Sequence, residues 1–182
     1  MSDITQLILD DHETFRREFA ALDDTNEPQQ LREVWEPLAA LLEVHAAAEE
    51  AIFYPKLLRR GDNAEDETLD AIGDHNDIRD GVREAGRHPI GTPKWWEGVR
   101  QARTANSSHM AEEEDDALPD FRRNTPLNMR VDLGHQFLKF KTDHSDARGL
   151  DTSDKDPQEY VQTQTSADGK SGSLGIGSLK GS

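Results

Sequence analysis

Histidine and glutamate recur at the same helical spacing in two stretches of this 182-residue chain. The first stretch reads HAAAEEAIFYP from residue 45, and the second reads HMAEEEDDALP from residue 109. Each places a glutamate four residues after its histidine, which gives the pairs His45–Glu49 and His109–Glu113. Imidazole nitrogens and carboxylate oxygens are common ligands of transition metals. The two stretches therefore indicate metal binding.

An Asp-His dipeptide precedes each stretch by a similar interval. His12 lies 33 residues before His45, and His75 lies 34 residues before His109. The matching positions of the two halves are 63 or 64 residues apart. The chain therefore reads as one helical hairpin written twice, and each copy supplies a histidine followed by an HxxxE motif. A single HxxxE motif is common on helices by chance, whereas two matching sets of this kind are not.

A helix brings each histidine and its glutamate together, because residues four apart are about one turn apart and point the same way. In an antiparallel bundle, four helices can direct these side chains into one central volume. Buried carboxylates and imidazoles are costly without partners, and a pair of cations removes that cost. Two metals with two bridging carboxylates form the simplest arrangement for the six candidates, which are His12, His45, Glu49, His75, His109 and Glu113. Nitrogen and oxygen ligands suit iron, then manganese, and suit zinc less well.

The elements that must hold these residues are predicted to be helices. Apolar residues recur at helical spacing, and no stretch shows the alternation that is typical of a strand. Asp3 is a candidate N-cap of the first helix. The first helix is predicted to run to a break at residues 25–28, the second to stop near Pro55, the third to lie between residue 63 and Gly86, and the fourth to run from about 93 to about 117.

A change of composition near residue 151 divides the chain. Residues 1–150 are predicted to form one domain, made of the bundle and a shorter amphipathic fifth helix over about 127–143. From residue 151 onward Ser, Thr, Gly, Asp and Gln dominate, and the last residues read SGSLGIGSLKGS. Such a segment is too polar and too rich in glycine to bury a core. We therefore expect residues 151–182 to be a disordered tail.

The composition excludes several classes of function. The chain has 21 Lys and Arg against 37 Asp and Glu, a net charge of -16, which argues against nucleic acid or a membrane surface as a partner. It has no cysteine, which excludes disulfides, thiolate zinc sites, iron–sulfur clusters and covalently attached haem. The opening MSDITQLILDDHE lacks the pattern of a signal peptide, and no apolar run approaches the roughly 18 residues of a membrane span. We therefore expect a cytoplasmic protein.

The doubled pattern of a histidine followed by HxxxE, on an all-helical chain, resembles the hemerythrin family, and in particular the bacterial hemerythrin-like (HHE) cation-binding domains. The resemblance covers about residues 3 to 120. It implies an all-α fold with an antiparallel up-down-up-down four-helix bundle. It also implies a pair of iron ions, joined by an oxo or hydroxo bridge, as the cofactor.

The same resemblance implies a role for each of the six candidates. Glu49 and Glu113 would bridge the two irons. The remaining ligands would divide by half of the chain, with His12 and His45 on one iron and with His75 and His109 on the other.

The chain departs from the oxygen-carrying hemerythrins at two positions. Those proteins place a further histidine ligand one turn after the position of His75, where this chain has Arg79. Their last motif carries an aspartate at a five-residue interval, whereas Glu113 follows His109 at four. The site is thus more symmetric and has more open coordination positions. This difference favours reaction with a bound small ligand over stable carriage of oxygen.

Four other residues are candidates for roles at the site. His135 and His144 are candidates for an additional ligand. Tyr54 is a candidate ligand or hydrogen-bond donor, but five residues turn a helix by about 140°. It can approach the site only if the helix loosens before Pro55. Arg79 is expected to pair with a carboxylate near the site and so to tune it.

Two functions of different classes fit these features. The first is a di-iron oxidoreductase that acts on O2, hydrogen peroxide or nitric oxide in a catalase-, peroxidase- or oxidase-like reaction. Its electron donor is not identified by the sequence. The second is a protein that binds, carries or senses O2, nitric oxide or iron without turnover. A ferritin-like carboxylate protein fits less well, since those proteins use Glu-x-x-His at three-residue spacing. A purely structural acidic bundle is the remaining alternative.

Overall fold

A computed structural model describes residues 3–169 of the chain, and this part is all-helical, with no strand. Its α-helices are α1 (Ile4–Asp23), α2 (Pro28–Ala48), α3 (Tyr54–Arg60), α4 (Ala64–Gly86), α5 (Pro93–Glu112), α6 (Leu118–Asn124), α7 (Leu127–Asp143) and α8 (Pro157–Gly169). Two π-helical segments, Glu49–Phe53 and Glu113–Ala117, join α2 to α3 and α5 to α6. The fifth helix predicted over about 127–143 is α7.

Local signals in the sequence fix where the long helices begin. Asp3 caps α1, as predicted, because its side chain accepts hydrogen bonds from the backbone N–H groups of Thr5 and Gln6. Thr92 caps α5 in the same way, and Pro93 occupies the first turn, where a missing N–H does no harm. These two starts place His12 and His109 on helices of defined length.

Each π-helical segment begins at the glutamate of an HxxxE motif and ends two residues before a proline. The backbone N–H of Tyr54 bonds to the carbonyl of Glu49, and that of Leu118 bonds to the carbonyl of Glu113. A proline ring clashes with the carbonyl four residues back in a regular α-helix, and the wider turn accommodates it. The prediction that the helices stop near Pro55 and at about residue 117 was therefore wrong, since the helical path continues through α3 and α6.

Two apolar clusters fill the interior, with the predicted ligands between them along each helix. In α1, Ile8 belongs to the first cluster and Phe15 to the second, and His12 lies between them. The order is reversed in α2, which passes from Leu42 in the second cluster to Ala48 in the first. Helix α4 again passes from the first cluster to the second. Helix α5, with the π-helical segment that follows it, passes from the second cluster to the first. Polar side chains thus form a layer between two apolar ones.

Helices α4 and α5 approach each other unusually closely. A Cβ atom on Gly81 would lie 2.3 Å from the backbone nitrogen of Ala102, and one on Gly98 would lie 2.3 Å from that of Ala85. Each helix therefore supplies one glycine and one alanine, four residues apart, to the same contact. Only residues this small permit such an approach of two backbones.

The predicted disordered tail is wrong for residues 157–169, which form α8. Asp156 caps this helix by accepting a hydrogen bond from the N–H of Glu159, and Pro157 occupies the first turn. Tyr160 and Val161 are buried in the first apolar cluster, where α8 packs against α3 and α4. The single domain therefore extends past residue 150. The rest of the predicted tail, residues 170–182, lies outside the described part of the chain.

Membrane insertion through these helices is not indicated. Within residues 3–169, none of them combines the length and the apolar character that a membrane span requires.

Candidate metal centre

The six predicted ligands meet in one buried cluster. Each is at most 3% exposed, although they come from four separate helical stretches. Their ligand atoms form two groups, within each of which all atoms lie within 4.8 Å of one another. The first group contains His12, His45, Glu49 and Glu113, and the second contains Glu49, His75 and His109. Glu49 belongs to both groups and so connects them.

The two glutamates of the cluster contact histidines from both halves of the chain. Glu49 Oε1 lies 2.9 Å from His45 Nε2, and Glu49 Oε2 lies 3.3 Å from His75 Nε2. Glu113 Oε2 lies 3.3 Å from His12 Nε2 and 3.8 Å from His109 Nε2. Glu49 thus contacts the two halves through different oxygens, and Glu113 contacts them through one oxygen.

Several atoms that face the centre have no hydrogen-bond partner and no contact with solvent. They are the Nε2 atoms of His12 and His45, both carboxylate oxygens of Glu49, and Oε2 of Glu113. The Nε2 atoms of His75 and His109 face each other at 3.3 Å. Leaving so many buried polar atoms unpaired is costly, and cations at this point would satisfy them together. The donor set of imidazole nitrogen and carboxylate oxygen fits iron or manganese.

The opposite ring nitrogen of each histidine, Nδ1, faces a carboxylate. The distances are 2.8 Å from His12 to Glu114, 2.9 Å from His45 to Asp11, 2.9 Å from His75 to Glu50 and 3.7 Å from His109 to Asp74. A carboxylate only accepts hydrogen bonds, so Nδ1 carries the proton in the three short pairs. The Nε2 lone pair is then free for a metal, which is the usual arrangement of metal-binding histidines.

The roles of these four carboxylates were missed in the sequence, although a signal for them was present. Asp11 and Asp74 each come directly before a histidine and contact the other histidine of the same half. Glu50 and Glu114 each come directly after a glutamate of the cluster and contact a histidine of the opposite half. The repeated Asp-His and Glu-Glu dipeptides are that signal.

Charges around the centre hold protons on two histidines. Burial by itself lowers the pKa of a histidine, but the carboxylates of Glu49 and Asp11 outweigh it and raise the pKa of His45 to about 9. In the same way Asp74, Glu49 and Glu113 outweigh burial and raise the pKa of His109 to about 10. In the absence of metal these rings are therefore cationic at neutral pH, and a metal must displace their protons to bind.

Tyr54 reaches the centre through the π-helical turn. Its hydroxyl donates a hydrogen bond of 2.8 Å to Glu113 Oε1, on the opposite half of the chain. Burial and the negative charges of Glu113 and Glu49 raise its pKa well above the usual value, so the hydroxyl keeps its proton. The matching residue of the second half is Leu118, which has no hydroxyl. The centre is therefore asymmetric at this point.

Arg79 is buried, and its guanidinium group contacts carboxylates outside the predicted set of ligands. Its Nη2 lies 2.9 Å from Glu50 Oε1, the oxygen that also contacts His75 Nδ1, and its Nε donates to Glu43. Arg79 therefore acts on His75 through Glu50. Its match in the first half is Arg16, which contacts Glu114 in the corresponding way.

The remaining histidines do not join the cluster. His135 is exposed on α7, and the ring of His144 packs beside Phe140 at 4.6 Å. His88 contacts Glu84 at the end of α4. Among the described residues, the two groups of potential ligands contain none of these three.

An acidic cleft of about 510 Å³ reaches the centre at Glu113. Five other carboxylates line it: Asp66, Glu67, Asp70, Glu112 and Asp116. Burial, together with the charges of Asp120 and Asp116, raises the pKa of Glu67 to about 7. Four of the five matching positions of the first half are apolar, the exception being Asp3, and α7 packs on that side of the molecule. The cleft therefore gives one side of the centre a solvent-facing surface that attracts cations.

Comparison with known proteins agrees with this geometry. The family model described as Hemerythrin HHE cation binding domain matches residues 3–121, more than half of the chain and the part that contains all six residues of the cluster. No curated protein and no solved structure matches the chain. The buried cluster and the family match together indicate a metal-binding protein. The chain belongs to the hemerythrin family of HHE cation-binding domains.

Proposed function

We propose that this protein is a non-haem di-iron protein that reacts with O2, hydrogen peroxide or nitric oxide. The observation that carries the proposal is the set of buried nitrogen and oxygen atoms, directed at one another, that lack hydrogen-bond partners. Such a donor set favours iron. Bound iron would supply a redox couple and coordination positions for a small ligand.

The ligand assignment divides the cluster between two cations. His12 and His45 would hold one iron, and His75 and His109 the other, which agrees with the two groups of close ligand atoms. Glu49 would bridge the irons, since its two oxygens contact histidines of different halves. Glu113 would be the second bridge, opposite it.

We further propose that α1, α2, α4 and α5 form an antiparallel, up-down-up-down bundle around the irons. The order of the two apolar clusters supports this topology, because it reverses from each of these helices to the next. Helices that run in alternating directions meet the clusters in that sequence.

The residue that replaces the additional histidine of the oxygen carriers supports reaction over carriage. Arg79 is held by Glu50 and Glu43, and an arginine cannot serve as a ligand while it keeps its proton. The iron next to His75 would therefore keep an open position for a peroxide or a diatomic ligand.

The surrounding residues would shield the bound ligand and hold a proton beside the cluster. The rings of Phe15 and Phe137 lie 5.0 Å and 6.1 Å from that of His45 and exclude water from this side of the centre. The Tyr54 hydroxyl holds a proton 2.8 Å from Glu113 Oε1. This hydroxyl would therefore place a buried proton next to one of the two proposed bridging glutamates.

Metal analysis and an aerobic optical spectrum test the assignment. We expect two irons per chain with near-ultraviolet bands from an oxygen bridge, and turnover of at least one of the three oxidants when a reductant is supplied. His45→Ala and Glu113→Ala should each lower the iron content, whereas the exposed control His135→Ala should retain two irons. One iron or none in the unmodified protein would contradict the paired site.

The alternative is a protein that binds or senses O2, nitric oxide or iron without turnover. The acidic cleft beside Glu113 favours this alternative, because it offers cations a route from solvent toward the centre. A reversible spectral change on cycling O2, without consumption of reductant or release of product, would select this alternative.

A further inference from the structure

Two lysines from the C-terminal part of the chain contact carboxylates that face histidines of the centre. Lys141 of α7 contacts both carboxylate oxygens of Asp11, whose Oδ2 lies 2.9 Å from His45 Nδ1. Lys155, which precedes α8, places its Nζ 2.9 Å from Glu50 Oε2. The other oxygen of Glu50 lies 2.9 Å from His75 Nδ1. Both lysines lie beyond residue 121, outside the part of the chain that matches the family.

The segment around Lys155 is fixed by several other contacts to the same region. Its backbone N–H and carbonyl make reciprocal hydrogen bonds of 3.0 Å and 2.8 Å with the side chain of Asn76, the residue after His75. The hydroxyl of Tyr160 donates to the backbone carbonyl of Glu50. Lys155 is thus held on the carboxylate by main-chain contacts, rather than resting there as a loose surface ion pair.

The internal repeat shows what these lysines add. Glu50 and its match Glu114 pair with the matching arginines Arg79 and Arg16, but only Glu50 also contacts a lysine among the described residues. The side chain of Glu114 is 26% exposed, against 5% for that of Glu50. No described cation contacts Asp74, which faces His109 at the longer distance of 3.7 Å. The four histidine–carboxylate pairs are therefore unequal, and two of them include a lysine that the bundle itself does not supply.

We propose that Lys141 and Lys155 are positioning residues of the metal centre, each of which holds one histidine for one of the two iron positions. Lys141 acts on His45 through Asp11, and Lys155 acts on His75 through Glu50. This inference rests on the di-iron assignment made above and extends it to the chain outside the family domain.

The physical effect of each lysine follows from its charge and its hydrogen bonds. A carboxylate that is shared with a lysine accepts a weaker hydrogen bond from the imidazole, so the ring donates less electron density to the metal. The nearby positive charge also disfavours the more highly charged ferric ion. Both effects favour ferrous iron, so removal of a lysine should lower the reduction potential of one iron.

Redox titration of the iron-loaded protein tests the proposal. Lys141→Met and Lys155→Met remove the charge and keep much of the aliphatic chain. Each should shift the ferric-to-ferrous ratio at one iron toward ferric by about tenfold, the order expected for one charge at an effective dielectric constant of about 20. The double variant should shift both irons. Lys141→Arg and Lys155→Arg keep the charge and should restore the unmodified behaviour.

A second measurement does not need iron. In the metal-free protein, ¹⁵N NMR should show slowly exchanging Nδ1 protons on both His45 and His75. Lys141→Met should speed exchange at His45 alone, and Lys155→Met at His75 alone, because each carboxylate loses one of the groups that hold it. Absence of iron from the purified protein would refute the proposed function, and the exchange rates would still decide the positioning roles.

The control is Lys139→Met, which removes a lysine that is 76% exposed and whose one ion pair within residues 3–169 is with Asp143. Neither the potential nor the exchange rates should change in this variant. The proposal is overturned if the two Met variants match the unmodified protein in both measurements, if the control reproduces their effects, or if arginine fails to restore them.

Discussion

Each histidine of the centre has its two ring nitrogens in different surroundings. The Nε2 atoms face one another and the two bridging candidates, while the Nδ1 atoms face carboxylates that lie further from the centre. One side of the ring therefore carries the chemistry, and the other fixes the tautomer and the orientation.

Removal of the Tyr54 hydroxyl should destabilise the folded, metal-free protein. Tyr54→Phe leaves Glu113 Oε1 without its hydrogen-bond partner in a fully buried place. A hydrogen bond to a charged group contributes about 1.5–3 kcal/mol, so the free energy of unfolding in urea should fall by that order. Peroxide turnover by the iron-loaded variant should fall as well. Unchanged stability and turnover would show that the hydroxyl has no role.

The metal-free protein should become less stable as the pH rises. The pKa values of His45 and His109 in the folded chain, about 9 and about 10, lie above the value of 6.5 for a free histidine. Their stabilising protonation is complete below pH 6.5 and is lost as the pH rises through 9 and 10. The melting temperature of protein treated with a chelator should therefore fall between pH 6.5 and 10. The iron-loaded protein should not show this fall, since its rings carry metal in place of protons.

At the scale of elements, the π-helical segments and the close contact of α4 with α5 shape the centre. Each π-helical turn lets a helix continue past a proline, and the first of them brings Tyr54 to Glu113. The close contact between α4 and α5 accompanies a distance of 4.7 Å between the rings of His75 and His109. The corresponding rings of His12 and His45 are 5.4 Å apart.

Alanine at the α4–α5 contact should destabilise the bundle. The Cβ atoms of Gly81→Ala and Gly98→Ala would lie within 3 Å of backbone atoms of the facing helix, which must move apart. Overpacking of this kind costs about 1–3 kcal/mol, measurable as a lower free energy of unfolding. Gly73→Ala, also in α4, is the matched control, because its Cβ meets nothing within 4 Å. The control should gain up to about 1 kcal/mol from helix propensity.

At the scale of the whole molecule, the chain is a repeated hairpin with two unequal additions, α7 and α8. α7 packs on α1 and α2, whereas α8 packs on α3 and α4. Each addition brings a lysine to a carboxylate of the centre. The acidic cleft at Glu113 keeps a third side open to solvent.

Removal of the chain after Leu150 should destabilise the protein and expose Glu50. The truncation removes Tyr160 and Val161 from the core, and burial of one such side chain contributes about 1.5–3 kcal/mol. We expect a lower melting temperature and faster loss of iron to a chelator. A chain that ends at Gly169 keeps every contact described for this region and serves as the control. Equal stability of the two shortened chains would show that α8 contributes nothing.

The sequence predicted the helical fold and the six residues of the cluster because residues four apart lie on the same face of a helix. It did not predict the π-helical turns, which depend on how a proline is accommodated by the main chain. Nor did it predict that Glu50 faces His75, since that pairing joins two halves of the chain and is decided by packing. It missed α8 because the average composition of residues 151–182 is polar. The signals for this helix are one Tyr-Val pair and one capping aspartate, which that average conceals.

The crossed pairing of Glu50 with His75 and of Glu114 with His12 has a consequence for the origin of the fold. Each half of the chain supplies a carboxylate that the histidine of the other half requires. Two copies of one such hairpin, related by a twofold axis, would satisfy the same pairings without any covalent link. The present chain thus has the form of a fused homodimer. Its asymmetric features, Tyr54, the acidic cleft and the two lysines, are those that only a fused chain can acquire on one side alone.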